Sequence, residues 1–303
     1  MEIIHFQDKP VKPIFKNIVI GIGKFDGFHL GHQKIVQTIL DIARNKNIIP
    51  AVFTFKNFPC EFYLYPWDEK MNFFENAGIQ LCIWSEFEEI KIWEPDKFLE
   101  FLKNFYKVSE IVVGKDFKFG KHRKADGQFL LSWGRKNNMG ITLVSHVIMH
   151  NKPISSSIIR SLIKEGSVHT VYEMTGRYFS ISGKVIKGIG LGRKLGVPTA
   201  NVYLTDNIPF SEGVYVALTE YKNELLRSIA YYGTAPTVSI NQKRFEVHIF
   251  DFLKDIYDET LKVYLIKKIR PEKIFSSTDS LKKQIEKDIH TARNYPIITS
   301  GIW

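Results

Sequence analysis

The sequence predicts an α/β plus β protein, an N-terminal doubly wound parallel sheet followed by a small antiparallel β-barrel with a terminal helix. Three observations predict it. The chain has 303 residues, enough for two separate cores. Its first half alternates strand-length apolar runs with helical patterns, the spacing of a parallel sheet. From Tyr178 onward the texture changes to short strands bounded by turns, the pattern of a small barrel.

Composition limits the rest. A chain that is 44% hydrophobic and 24% charged is ordinary globular material, not a disordered one. Its longest apolar runs, such as Ile18–Ile22, fall far short of the ~18 residues a membrane span needs. The N-terminal stretch carries acids and prolines and no signal-type apolar block, so a cytoplasmic protein without membrane partners is expected. Cys60 and Cys82 are unrelated in spacing and imply neither a disulfide framework nor a zinc site. The net charge of +10 raises a nucleic-acid reading. That charge is dispersed, with 23 Lys/Arg against 18 Asp/Glu through residue 170 and 19 against 14 beyond it. There is no basic tail, aromatic ladder or internal repeat, so small polyanionic substrates are favoured over RNA.

In order, Asn17–Gly23 reads as a strand and Lys24–Gly27 as a turn. His29–His32 opens a helix, with Ile35, Ile39, Leu40 and Ala43 at helical spacing. Strand Ile48–Phe55, helix Asp68–Ala77 with Gly78 as its stop, strand Gln80–Trp84, a helix from Pro95 to Lys107 and strand Glu110–Gly114 repeat the pattern. Helices Ser156–Lys164 and Val168–Thr175 precede the change in texture, which places the domain boundary at 172/173. Strands follow at Tyr178–Ile186, Gly213–Thr219, Leu226–Gly233, Phe245–Phe252 and Lys262–Ile269. Helix Ser280–Arg293 closes the chain with Leu281, Ile285 and Ile289 on one face.

Several stretches carry candidate chemistry. In a doubly wound sheet, ligands gather at the carboxyl ends of strands, where the Gly23–His32 corner falls. His29 and His32 are three apart at a helix start, so their rings can share a face at a positive helix end that attracts phosphate. Alone, that spacing equally fits surface or core histidines. Ser155–Ser157 reads as a helix cap, and the same end can receive a phosphate, with Arg160 one turn on. Gly188, Gly190 and Gly192, at alternate positions ahead of Arg193, fit either a plain turn or a loop that brings backbone N–H groups close to an anion. Thr199 and Asn201 offer hard oxygen ligands suited to Mg2+ on a nucleotide.

Taken whole, GKVIKGIGLGRKLGVPTANV resembles the riboflavin kinase signature, with its glycine flap over ATP and its PTAN metal motif. GVYVA, YYGTAPTV, FEVHIFDF and KKIRPEKIFSS are similar to that family's layout. The resemblance implies that Gly188, Gly190, Gly192 and Arg193 bind ATP and that Thr199 and Asn201 hold Mg2+. It also implies that Glu246 is the general base toward the ribityl 5′-hydroxyl, with His248 structural. GKFDGFHLGH (Gly23–His32) resembles the motif of prokaryotic FMN adenylyltransferases. That implies ATP-phosphate binding by Gly23, Phe25, Asp26, Gly27 and Gly31, and catalysis by His29 and His32. ISSSIIR is similar to that family's triphosphate motif, which assigns Ser156, Ser157 and Arg160 to it. VGKDFKFG resembles its flavin-site segment, implying Asp116 and Phe117 against the flavin.

Four departures stand out: Lys24 for Asn, Lys56 and Phe58 where an acid and a histidine are usual, and Tyr231 for Asn. Together the resemblances imply a bifunctional enzyme, residues 1–172 an FMN adenylyltransferase and 173–303 a riboflavin kinase. Its partners would be riboflavin, FMN and ATP, with Mg2+ as cofactor. Two other readings stay open. One is a riboflavin kinase with an inactive first half; the other is a flavin- or RNA-binding regulator. An oligomer is compatible with either.

Overall fold

The computed structural model describes residues 1–8, 17–188, 190–204, 209–234 and 243–298. Pro236 and Thr237 of the YYGTAPTV stretch, and the last five residues of the tail, lie outside the described residues. By internal contacts the chain forms two compact units, Met1–Ser156 and Ser157–Trp303. The expected 172/173 boundary followed the change in sequence texture, a different criterion from packing.

The first unit contains β1 (Glu2–His5), β2 (Ile18–Ile22), α1 (Leu30–Lys46), β3 (Ile49–Phe55), α2 (Trp67–Ala77), β4 (Leu81–Ser85) and the single turn α3 (Phe87–Ile90). It continues with α4 (Pro95–Tyr106), β5 (Val108–Gly114), α5 (Gly127–Asn137), β6 (Gly140–Val144) and the short pair β7 (Ile148–Met149) and β8 (Lys152–Pro153). Six strands form one parallel sheet in the order β1-β4-β3-β2-β5-β6. The central strand β2 is buried along its whole length, because helices cover both faces of the sheet. Val19, Val52 and Cys82 pack under α1 and α2 against Val36, Ile39 and Phe74. Ile18, Ile20 and Ile111 point the other way, to Leu99, Leu102, Leu130 and Trp133 of α4 and α5. Alternate residues of one strand thus serve two cores, as the pleat requires.

The order reverses between β2 and β5. The crevice outside their carboxyl ends is the topological switch point, where such sheets bind ligands. The turn after β2 leads into His29, and the turn after β5 leads into Asp116.

The second unit carries α6 (Ser156–Glu165, entered from the first unit), α7 (Val168–Thr175), β9 (Phe179–Ile186), α8 (Leu191–Lys194) and β10 (Ala200–Leu204). Strands β11 (Gly213–Tyr221), β12 (Glu224–Gly233), β13 (Arg244–Ile249) and β14 (Thr260–Arg270) and helix α9 (Thr278–Asn294) follow. The six strands close in the order β10-β13-β12-β11-β14-β9, every pair antiparallel. One level of the wall reads Asn201, Glu246, Tyr231, Val214 in register from β10 to β11. Helix α9 packs over β11, β12 and β14, and α7 packs on β9 and β14.

The element order matches expectation, and eight elements are additional: β1, α5, β6 and β10, and the short α3, β7, β8 and α8. Strand β10 begins within residues read as a metal motif.

Candidate active sites

His29 is the N-cap of α1, and its Nδ1 accepts the His32 backbone N–H at 3.3 Å. In a neutral ring that contact leaves the proton on Nε2, which is therefore the donor nitrogen. The two imidazoles stack with centroids 3.7 Å apart. Burial pushes His29 down to about 4. Burial also holds His32 well below the ordinary histidine range, with His29 and then Lys70 adding to it. The pair is neutral at pH 7. The first turn of α1 carries no acid, so the positive end of this 17-residue helix is left uncancelled for an anion.

The loop ahead of the pair is bent, with φ of +50° at Phe25, +83° at Gly27 and +37° at Phe28. Buried contacts hold it. The Asp26 carboxylate accepts the Leu64 N–H at 3.1 Å, and Ser156 Oγ donates to the Asp26 carbonyl at 2.7 Å. Gln33 donates to the Phe28 carbonyl at 2.9 Å, and Thr54 Oγ1 to the Lys24 carbonyl at 3.1 Å. Gly31 lies directly under the His29 ring, where a Cβ would come within 3.0 Å of Nδ1. Gly23, Phe25, Asp26, Gly27, Gly31, His29, His32 and Ser156 are thereby brought together. Ser157 and Arg160 sit three residues apart on α6, Ser157 exposed and Arg160 half-buried.

Beside this corner a cleft of about 650 Å³ runs between the ends of β2 and β5. Gly23, Lys24, Asp116 and Phe117 line it, over an apolar floor that includes Phe87 and Trp93. Asp116 is exposed, 4.0 Å from His146 Nε2, and Phe117 stacks on Phe119 with centroids 5.4 Å apart.

In the barrel, Thr199 Oγ1 donates to Glu246 Oε2 at 3.2 Å, and Asn201 pairs with Glu246 in register. The glycine segment folds directly onto these residues. A Cβ on Gly188 would come within 2.1 Å of Asn201 Nδ2, and one on Gly192 within 2.9 Å of Thr199 Oγ1. Glycine is the side chain this approach permits. Gly190 takes φ +72°, in the left-handed region. Arg193 reaches outward to Asp255 at 3.2 Å. His248 Nδ1 is 2.7 Å from the Pro198 carbonyl, so this ring fixes the PTAN segment from below. Burial lowers its pKa. Glu246, Thr199 and Gly192 line a cavity of about 170 Å³ whose far wall is Leu281, Ile285 and Ile289 of α9.

The departures have physical forms. Phe58 is buried and lies under the Lys24 ammonium, 4.8 Å from ring centroid to Nζ, so a cation–π contact stands where the resemblance has a histidine. Lys56 extends over Trp84 at 5.3 Å. Tyr231 hydrogen-bonds Glu272, whose carboxylate also accepts Thr234 N at 3.1 Å and Thr234 Oγ1 at 3.3 Å.

Two participants went unread in the sequence. Glu272 needs the fold, since 41 positions separate it from Tyr231. Lys70 left a signal: it falls with Trp67, Met71 and Phe74 on the apolar stripe of α2, where a charge is out of place.

Comparison with known proteins meets this geometry at both ends of the chain. A family model described as FAD synthetase matches residues 11–158, and one described as riboflavin kinase matches residues 175–296. The chain is 35% identical over 299 residues to the bifunctional riboflavin kinase/FMN adenylyltransferase of Buchnera aphidicola subsp. Schizaphis graminum, covering 94% of this chain and 96% of that one. It is 32% identical over 288 residues to the protein of the same description from Escherichia coli K12, covering 91% and 92%. A crystal structure described as a macrolide-efflux protein from Streptococcus pneumoniae superposes with a TM-score of 0.86 at 28% identity, over 98% of this chain and all of that one. Among the described residues here, no helix is long and apolar enough to cross a membrane. With both halves matched in the same order over nine-tenths of its length, the chain belongs to the bifunctional riboflavin kinase/FMN adenylyltransferase family.

Proposed function

We propose that this chain makes FAD from riboflavin in two ATP-dependent steps, residues 173–303 forming FMN and residues 1–172 converting FMN to FAD. The observation that carries the reading is the Thr199–Glu246–Asn201 cluster under the glycine segment, facing an apolar cavity. Glu246 takes the proton of the ribityl 5′-hydroxyl as that oxygen attacks the γ-phosphorus of ATP, and ADP leaves. Gly188, Gly190, Gly192 and Arg193 cover the phosphates. Thr199 and Asn201 supply a hydroxyl and a carboxamide oxygen, a donor set that fits Mg2+ when phosphate and water complete the shell. When bound there, Mg2+ would offset the charge that develops on the transferred phosphoryl group.

In the N-terminal half a phosphate oxygen of FMN attacks the α-phosphorus of ATP. The bond to the β-phosphate breaks, and pyrophosphate leaves. His29 and His32 donate to the charge that builds on these oxygens, and the low pKa of His29 suits a neutral donor. Gly23, Phe25, Asp26, Gly27 and Gly31 shape the phosphate loop, with Ser156, Ser157 and Arg160 on the triphosphate. Asp116 and Phe117 contact the flavin from the cleft. The protein works in the cytoplasm, where ATP is at hand.

The buried, apolar Phe58 favours a second reading, a riboflavin kinase whose first half no longer transfers adenylyl groups. Chromatographic product analysis with ATP, Mg2+ and either riboflavin or FMN separates the two. FAD from both substrates is expected. FMN accumulating from riboflavin, with no FAD from FMN, would establish the second reading.

A further inference from the structure

The N-terminal unit holds a buried cation that the chemistry above does not use. Lys70 projects from α2 beneath the phosphate loop and is only 7% exposed. Its Nζ donates to the Phe55 carbonyl at 2.7 Å, and it approaches the Lys24 carbonyl and Thr54 Oγ1 at 3.4 Å each. These three partners stand at the carboxyl ends of β2 and β3, so one ammonium ties two strand ends together where the loop begins. Each takes one of its three N–H donors.

We propose that Lys70 is a positioning residue of the adenylyl-transfer site: it pins the Lys24 carbonyl, so fixing the entry of the bent loop, and it places a buried positive charge behind the histidine pair. This rests on reading the N-terminal half as an adenylyltransferase.

The loop needs such a pin. With positive φ at Phe25, Gly27 and Phe28, it is a conformation that persists only where its surroundings over-determine it. Its carbonyls at 24, 26 and 28 are each taken by a side-chain donor, from Lys70 with Thr54, from Ser156 and from Gln33 respectively. Of these four side chains Lys70 carries the charge, and it strengthens the helix-dipole field at the point where polyphosphate would arrive. The groups that face it are His32 from α1, Asp26 from the loop, Cys60 from the segment after β3 and Cys82 from β4, with the Trp67 ring at 4.8 Å and the Phe58 ring at 5.8 Å. Burial pushes the Lys70 ammonium down to about 8, with Cys82, Asp26 and Cys60 opposing that shift. The charge is therefore present at neutral pH and disappears as pH rises through that value.

The test measures FAD formation from FMN against pH, with FMN formation from riboflavin by the same full-length chain as internal control. FAD formation is expected to fall above about pH 8, along a limb that FMN formation does not share. Lys70→Met should lower kcat/KM for ATP in the FAD step about a hundredfold, the scale of a small misplacement of catalytic groups, and abolish the limb. Lys70→Arg keeps a charge at every accessible pH, so it should retain activity that no longer declines there. Amide hydrogen exchange at residues 24–28 should quicken in Lys70→Met while β2 stays protected. Wild-type kcat/KM in Lys70→Met, or an unmoved limb in Lys70→Arg, overturns the proposal. Should Lys70→Met not fold, the wild-type and Lys70→Arg profiles decide. Should the wild type make no FAD from FMN, the adenylyltransferase reading fails separately. Exchange at residues 24–28 in Lys70→Met then decides the positioning role, and unchanged rates there refute it.

Discussion

Glu246 and His29 lie in different units, and each can be removed without touching the other. Glu246→Ala should abolish FMN formation, by 10²-fold or more if it is the general base, and leave FMN-to-FAD conversion intact. His32→Ala should do the reverse. Equal loss of both activities in either folded variant would sink the two-site assignment. Gly188→Ala tests the close approach of the flap. Its methyl group must displace the Asn201 carboxamide, so FMN formation should drop about tenfold or more while the FAD step is unchanged. His29 also makes a stability prediction. Its folded pKa of about 4 lies below the unfolded 6.5, so the unfolded chain binds the extra proton between those values. Stability should therefore fall as pH drops from 6.5 toward 4, by on the order of 3 kcal/mol from this group. His29→Asn keeps a cap-forming side chain and removes the titration. Urea midpoints across that pH range should fall less steeply in the variant than in the wild type.

At the scale of elements, α9 covers the barrel wall and forms one side of the cavity beside Glu246. Leu281, Ile285 and Ile289 face Glu246 across it. Ile285→Ser should raise the KM for riboflavin roughly tenfold, the worth of one buried aliphatic side chain, with a smaller effect on kcat. A change confined to kcat would argue against α9 as a wall of the flavin pocket. Helix α5 offers a contrast. Asp126 caps it by accepting Gln128 N–H and Phe129 N–H at 3.0 and 3.1 Å, remote in the chain from His29, His32 and Glu246. Asp126→Ala should cost about 1 kcal/mol of stability and leave both product ratios unchanged.

For the molecule as a whole, two sites in one chain convert riboflavin to FAD with FMN as the shared species. A mixture of Glu246→Ala and His32→Ala chains should recover FAD formation from riboflavin. FMN released by the second variant can reach the N-terminal site of the first. Recovery proportional to the lesser of the two activities is expected in a chromatographic assay, and its absence would mean that FMN does not leave the chain that makes it.

The fold class was legible because period and punctuation survive without tertiary context. The alternation from Ile18 to Gly114, and the short strands from Phe179 onward, state which faces must be buried. The residues proposed as catalytic were singled out through contiguous patterns: His29 with His32, the run from Gly188 to Asn201, and Glu246 within FEVHIFDF. Strand β10 was hidden because its start was read as part of a metal motif and only Val202 of its five residues is buried, too little to mark an apolar face. What only the tertiary structure decided is which distant residues share a site. Lys70 reaches the Lys24 carbonyl across 46 positions, and Glu272 reaches Tyr231 across 41. A charge is judged from sequence by its neighbours in the chain, whereas its pKa and its role depend on what surrounds it in space. A lysine inside an apolar stripe is an anomaly until the sheet supplies carbonyls for it to hold.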